Sequence, residues 1–302
     1  MNLPTIFQNY EMKKNNNFLA WSLLVLLAII WGTSFILIKK GLQVYSAGEV
    51  GALRIVFAGI FLLPVFIKNY NSISKKQWKL LFVAGLVGSF FPAFLFATAQ
   101  TQINSSLAGM LNALTPIFAL LMGVVFFKAK INGKMAGGLA LGFAGTVYLM
   151  TLKDGSAFSG INVYALFVIA ATILYGSNIN LVKYYLSDVK AVSITGVSLV
   201  LVSVPSLLYL FLFSDFTVHV QQEGAMLALG YMLVLGVVGT AVALILFNHL
   251  IQITNPVFSS SVTYLIPIVA LIWGFLDQEQ IGLNHVVGMG VISFGVFLAN
   301  KK

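Results

Sequence analysis

Long apolar runs alternate with short polar punctuation along the whole chain, and ten of the runs have the length of a membrane-crossing helix. A hydrocarbon core of roughly 30 Å takes about 20 helical residues. The runs are Phe18 to Ile38, Val50 to Ile67, Leu80 to Thr98, Leu107 to Phe127, Met135 to Leu152, Ile161 to Val182, Ala191 to Phe213, Ala225 to Phe247, Pro256 to Leu276 and Leu283 to Ala299. The first follows Lys13 and Lys14 as a signal sequence would, yet it is too long for an h-region and no small-residue cleavage site follows it. It is read as a retained helix behind a cytoplasmic tail, residues 1–17, in which Met12-Lys13-Lys14 is an alternative translation start.

Composition places these runs in lipid. The chain is 59% hydrophobic and 8% charged, with a mean hydropathy of +0.97, whereas about a quarter of the residues in a soluble domain are charged. One soluble core could not hide that much apolar surface, so the expectation is an all-α integral membrane protein. The absence of cysteine excludes disulfides, thiolate chemistry and Cys-type metal sites.

A net charge of +9 raises the question of nucleic acid, and the placement of the charges answers it. With the N-terminus in the cytoplasm, thirteen of the 17 basic residues fall on that side and only Lys39, Lys40 and Lys153 on the other, with Arg54 inside a run. Six of the eight acidic residues lie on the outer side, Glu49, Asp277 and Glu279 among them. This is the positive-inside bias of a multi-pass protein, here of the bacterial cytoplasmic membrane, with both termini cytoplasmic and no nucleic-acid partner.

The chain also repeats itself. A shift of 144 lays Trp31-Gly32-Thr33-Ser34 over Tyr175-Gly176-Ser177-Asn178 and Lys39 over Lys183. A shift of 151 lays Asn104 over Asn255, Pro116 over Pro267 and Gly123 over Gly274. Duplication gives two five-helix units, 18–153 and 161–300, and an odd number of crossings inverts the second relative to the first. Inverted repeats that flank a site near the midplane are a transporter architecture.

The notch WGTSFILIK, Arg54 in LRIVFAGIFLLP, and FATAQTQINSSLAGMLNALTPIFALLMG together resemble the EamA family of the drug/metabolite transporter superfamily, from about Phe18 onward. The resemblance implies a secondary carrier, often an exporter of amino acids or related metabolites. It also implies a central cavity between the halves, with helices five and ten at the periphery. One departure is visible. The family pattern of Glu-Arg after the fourth helix of each unit survives as Glu279-Gln280 in the second unit, while the first has Lys128-Ala129-Lys130.

Polar groups inside the runs are the candidate substrate-binding residues, because each needs a partner in hydrocarbon. They are Thr33, Ser34, Gln100, Asn112, Ser177, Asn178, Asn248 and Tyr264, together with Arg54. Gly32 and Gly176 mark close approach of two helices or of a substrate. The hydroxyls also fit bonding back to their own helices, and Asn104 and Asn255 fit helix caps. Arg54 either holds an anionic group of the substrate or packs at the interface, neutralised by Glu49. Lys39 and Lys183 read as interfacial anchors.

No Asp or Glu lies well inside a run, which disfavours hydrophobic cations as substrates and leaves neutral, zwitterionic or anionic solutes. A proton-coupling carboxylate is missing, with His249 as the remaining candidate. The three histidines are scattered, and no metal or phosphate-gripping motif occurs, so neither cofactor nor metal is expected. A membrane enzyme acting on lipid-linked substrates, or a passive channel, is the alternative. Glycines 138 and 142 in the fifth helix, and 288, 290 and 295 in the tenth, allow close packing within the chain or a homodimer.

Overall fold

A computed structural model of the chain describes residues 3–127, 133–151, 162–254, 256–260 and 262–300, and the described residues form helices and no strand. The segment Lys128-Ala129-Lys130, Lys153, Asn255 and Ser261 lie outside the described residues. Lipid admits only helices and closed barrels, and apolar runs of about 20 residues suit the helix, which satisfies its backbone within one segment.

Helix α1 spans Leu3–Gly41, so the stretch expected as a tail continues the first helix. No glycine interrupts it before Gly32 and its one proline, Pro4, sits in the first turn, where a missing N–H costs nothing. Then come α2 (Ala47–Asn69), α3 (Lys75–Gly85), α4 (Phe91–Ala99), α5 (Ser105–Asn112), α6 (Thr115–Phe127) and α7 (Gly133–Thr151). The second half holds α8 (Ala165–Tyr185), α9 (Ala191–Leu212), the short α10 (Phe216–His219), α11 (Ala225–Gly236), α12 (Ala243–Ile253), α13 (Pro256–Ser260), α14 (Val262–Leu276) and α15 (Leu283–Asn300). Local signals set several starts. Ser46 and Glu49 form a capping box on α2, Ser74 and Gln77 do so on α3, and the Asn104 side chain accepts from Leu107 N at 2.7 Å to cap α5.

Eight helical stretches are long and apolar enough to cross a membrane: Phe18–Gly41, Ala47–Ser72, Lys75–Ala99, Ser105–Phe126, Ala165–Tyr185, Ala191–Leu212, Ala225–Ile253 and Phe258–Leu276. Two shorter apolar helices, Ala136–Leu149 and Leu283–Gly295, accompany them. Large apolar side chains cover the outside, with Phe213, Phe275 and Leu283 each at least 74% exposed. A surface of that kind is stable against lipid rather than water, so the protein is a multi-pass helical membrane protein.

Helices meet where glycines let them. A Cβ on Gly32 would come within 2.4 Å of Val269 Cβ on α14, and one on Gly176 within 2.5 Å of Ala119 N on α6. Both notch glycines therefore serve helix crossings, α1 on α14 and α8 on α6. The glycine stripes of α7 and α15 face each other within the chain, where a Cβ on Gly295 would meet Gly142 N at 2.6 Å. Helices α2 and α9 form the other extensive pair.

Three of the crossings expected as plain helices are interrupted. Residues Leu86–Phe90 and Val237–Val242 are π-helical, each carrying one extra residue in its turn. Pro92 follows the first and cannot donate to the Gly88 carbonyl four residues back. The run containing α5 and α6 breaks at Ala113-Leu114 just before Pro116, and the Asn112 carbonyl that the break releases accepts from Thr115 Oγ1 at 2.8 Å. Interruptions of this kind are tolerated in a membrane only where protein or a cavity receives the freed groups.

Candidate functional site

The interrupted helices surround a cavity near the middle of the crossings. Its walls come from α1, α2, both π-helical segments, α4, α5, α6, α8, α12, α13 and α14. The space unoccupied by protein atoms, its open mouth included, is about 840 Å³, within the ordinary range of small-molecule pockets. Aromatic pairs form two of the walls. Trp31 meets Phe247 edge-on at 4.9 Å, and Phe96 stacks on Tyr175 at 5.9 Å while touching Phe35 at 5.6 Å.

Arg54 is the single charged side chain among the lining residues, and it is 8% exposed. Its Nε and Nη2 both donate to Thr240 Oγ1, at 3.2 and 3.1 Å. The Thr240 hydroxyl in turn donates to the Leu235 carbonyl at 3.0 Å, one residue further back than in an α-helix. One hydroxyl thus holds the bulge of α11–α12 and orients the guanidinium. Among the described residues no carboxylate pairs with Arg54. Glu49, expected as its partner, is fully buried in the first turn of α2 and accepts instead from Ser46 N at 2.8 Å, with its Oε2 also 2.8 Å from His219 Nδ1.

Of the nine residues read from the sequence, Ser34, Arg54, Asn112 and Asn178 line the cavity. The Asn178 amide lies flat on Gly88, where a Cβ would meet its Nδ2 at 2.3 Å, and its Oδ1 is buried without a hydrogen-bond partner. The other five lie outside the lining. Thr33 and Ser177 bond back to the carbonyls of Ile29 and Ile173, and Thr33 also accepts from Trp273. Gln100 donates to the Phe35 carbonyl and Asn248 to Thr195, joining helices, while Tyr264 packs against the core. Thr240, Ser89 and Tyr175 are lining residues that were not singled out. A signal for two of them was present, because the shift of 151 lays Gly88-Ser89 over Gly239-Thr240.

One end of the cavity wall runs directly into a charged latch, since Ile38 lines the cavity and Lys39 follows it. Lys39 contacts Asp277 at 2.6 Å and Glu279 at 2.9 Å, and Lys40 contacts Asp277 at 2.6 Å. Both oxygens of Glu279 cap the start of α5, accepting from the backbone and hydroxyl of Ser105 and of Ser106 at 2.5–3.0 Å. Gln278 makes this geometry with a left-handed φ of 58°, so that Glu279 N reaches the Gly274 carbonyl and Gln278 N the Phe275 carbonyl in a Schellman turn. Burial alone would raise both carboxyls. Hydrogen bonds from Lys39 and Lys40 hold Asp277 below its ordinary value, and those from Ser105, Ser106 and Lys39 do the same for Glu279. At the opposite end, among the described residues, Lys183 donates to the carbonyls of Ile251 and Thr254, at 3.5 and 3.3 Å.

A mainly apolar cavity with a few convergent polar groups, set between interrupted helices of a multi-pass membrane protein, is the kind of place in which transporters hold a solute. The model of the EamA-like transporter family matches residues 19–151 and again 162–301, and the chain belongs to that family. It is 26% identical to the uncharacterized inner membrane transporter YedA of Escherichia coli K12, over 90% of this chain and 87% of that one. It is 19% identical to a probable terminal-alkyne amino-acid exporter of Streptantibioticus cattleyicolor, over 93% of both. A solved crystal structure shares its fold with a TM-score of 0.64 at 16% identity, covering 93% of this chain and 96% of that one.

Two outcomes follow from this geometry. Thr240→Val strips the guanidinium of its hydroxyl and is expected to lower stability by about 2 kcal/mol, with Thr240→Ser close to wild type, in thermal unfolding of the detergent-solubilised protein. For the latch, both carboxyls are depressed in the fold, so its stabilisation is complete above about pH 4 and is lost as the pH falls through their lower values. The melting-temperature gap between wild type and Glu279→Gln should stay constant from pH 8 to about 5 and close only in stronger acid; a gap that closes near neutrality contradicts the assignment.

Proposed function

We propose that this protein is a secondary carrier that moves a small solute bearing a carboxylate, an amino acid or a related zwitterionic or anionic metabolite, outward by alternating access. The observation that carries the reading is Arg54, a buried cation in the cavity whose fixed partner is a neutral hydroxyl. A buried charge without a counter-charge is costly, and an incoming carboxylate relieves that cost while meeting the guanidinium fork. The aromatic walls and the amides of Asn112 and Asn178 would receive the rest of the molecule. The exporter named among the relatives supports the substrate class and the direction.

The mechanism rests on ten crossings in two inverted units, the two shorter apolar helices completing the count. Paired packing supports it: α1 on α14 answers α8 on α6, and the π-helical segments stand 151 residues apart, the shift already seen in the sequence. In this reading the cavity lies between the units, and rocking exposes it to either face. The carboxylate latch closes the outer face and Lys183 on backbone carbonyls closes the inner one, with both termini cytoplasmic. The outer surfaces of α7 and α15 remain the place for a homodimer: Gly288 and Gly295 pack within the chain, whereas Gly290 faces open space.

Counterflow in liposomes preloaded with unlabelled amino-acid pools tests the reading. Saturable exchange of a labelled pool member is expected, and Arg54→Gln should cut it at least about tenfold; exchange indifferent to Arg54→Gln overturns the role given to the cation. For sidedness, Ser72→Cys should be shielded from an impermeant thiol reagent in intact cells and Gln222→Cys should react. The reverse labelling would invert the topology.

A further inference from the structure

A second hollow lies away from the cavity, on the surface of the bundle between the end of α2, the start of α9 and the last turns of α12. Pro64, Val65, Val192, Ile245 and Leu246 give it apolar walls, and the space free of protein atoms is about 1390 Å³ with its mouth included. Three helices each bring a basic group to its rim: Lys68, Lys190 and His249. All three are exposed, and none makes an ion pair among the described residues. The neighbouring carboxylate, Asp188, is occupied by Gln77 Nε2 at 3.0 Å. The other polar groups in the hollow satisfy one another internally, Ser193 donating to Asn69 Oδ1 and Gln252 to the Val189 carbonyl.

We propose that this groove binds one anionic phospholipid, its phosphate at the Lys68–Lys190–His249 rim and an acyl chain along the apolar wall. The two halves of the groove select for that occupant together. A soluble anion would leave the apolar wall exposed to lipid without using it, and a neutral phospholipid would leave the cations uncompensated at the interface. Each lysine beside an anionic headgroup contributes about five-fold in affinity. The site is independent of which solute the carrier moves.

Native mass spectrometry of the purified, full-length protein titrated with phosphatidylglycerol or phosphatidylcholine tests the proposal. Phosphatidylglycerol should bind at least about tenfold more tightly. That preference should vanish in a Lys68→Gln/Lys190→Gln variant and persist in a Lys75→Gln/Lys76→Gln control, which removes two exposed charges at the same end of the protein but outside the groove. Equal binding of the two lipids, or equal loss in the control, overturns it. Displacement of the lipid by millimolar inorganic phosphate would make the site one for a free anion and would overturn the lipid assignment. Monodisperse elution of both variants separates loss of binding from loss of fold.

Discussion

Hydrocarbon cannot hydrogen-bond to a peptide group, and that constraint organises this molecule. It makes every described element a helix and leaves polar side chains only three destinations: their own helix, a neighbouring helix or the cavity. Thr33 and Ser177 take the first, Gln100, Asn180 and Asn248 the second, Ser34, Asn112 and Asn178 line the third. Irregular backbone follows the same rule. The two π-helical segments and the break before Pro116 all border the cavity, and the carbonyls of Asn112 and Leu235 there accept from the Thr115 and Thr240 hydroxyls.

The crossings were legible because they depend on the summed apolarity of about twenty residues, a signal that single polar substitutions barely disturb. The cap at Asn104 was legible because its chemistry is local. The cavity was less so. Which way a polar side chain points depends on the rotation of its helix against neighbours, and an apolar run nearly uniform around its circumference does not encode that rotation. Thr33 and Ser34 are adjacent in sequence, yet one reaches Trp273 at the outer surface and the other lines the cavity.

Glu49 illustrates a different limit. Its position at the start of α2 suggested a partner five residues along the same helix, whereas the fold supplies His219 from 170 residues away. Gln278 is a third case. A left-handed residue after a helix is usually glycine, so nothing in Asp277-Gln278-Glu279 announced the turn that aims both carboxylates at the lysines. Interactions over such distances are fixed by topology, which composition and periodicity do not carry.

The π-helical segments also speak to history. A bulge of this kind arises by inserting one residue into a helix, and the surrounding contacts then grow to depend on it. Here each half carries one at the same internal position, with Gly88-Ser89 answering Gly239-Thr240. On the duplicated ancestry proposed above, the insertion was already present in the ancestral unit before it was copied. Proline was then kept or gained beside only one copy, at Pro92, where the other has Ala243. On that ancestry the extra residue has outlasted the local sequence around it, and the bulge itself, rather than the residues that favour it, is the inherited trait.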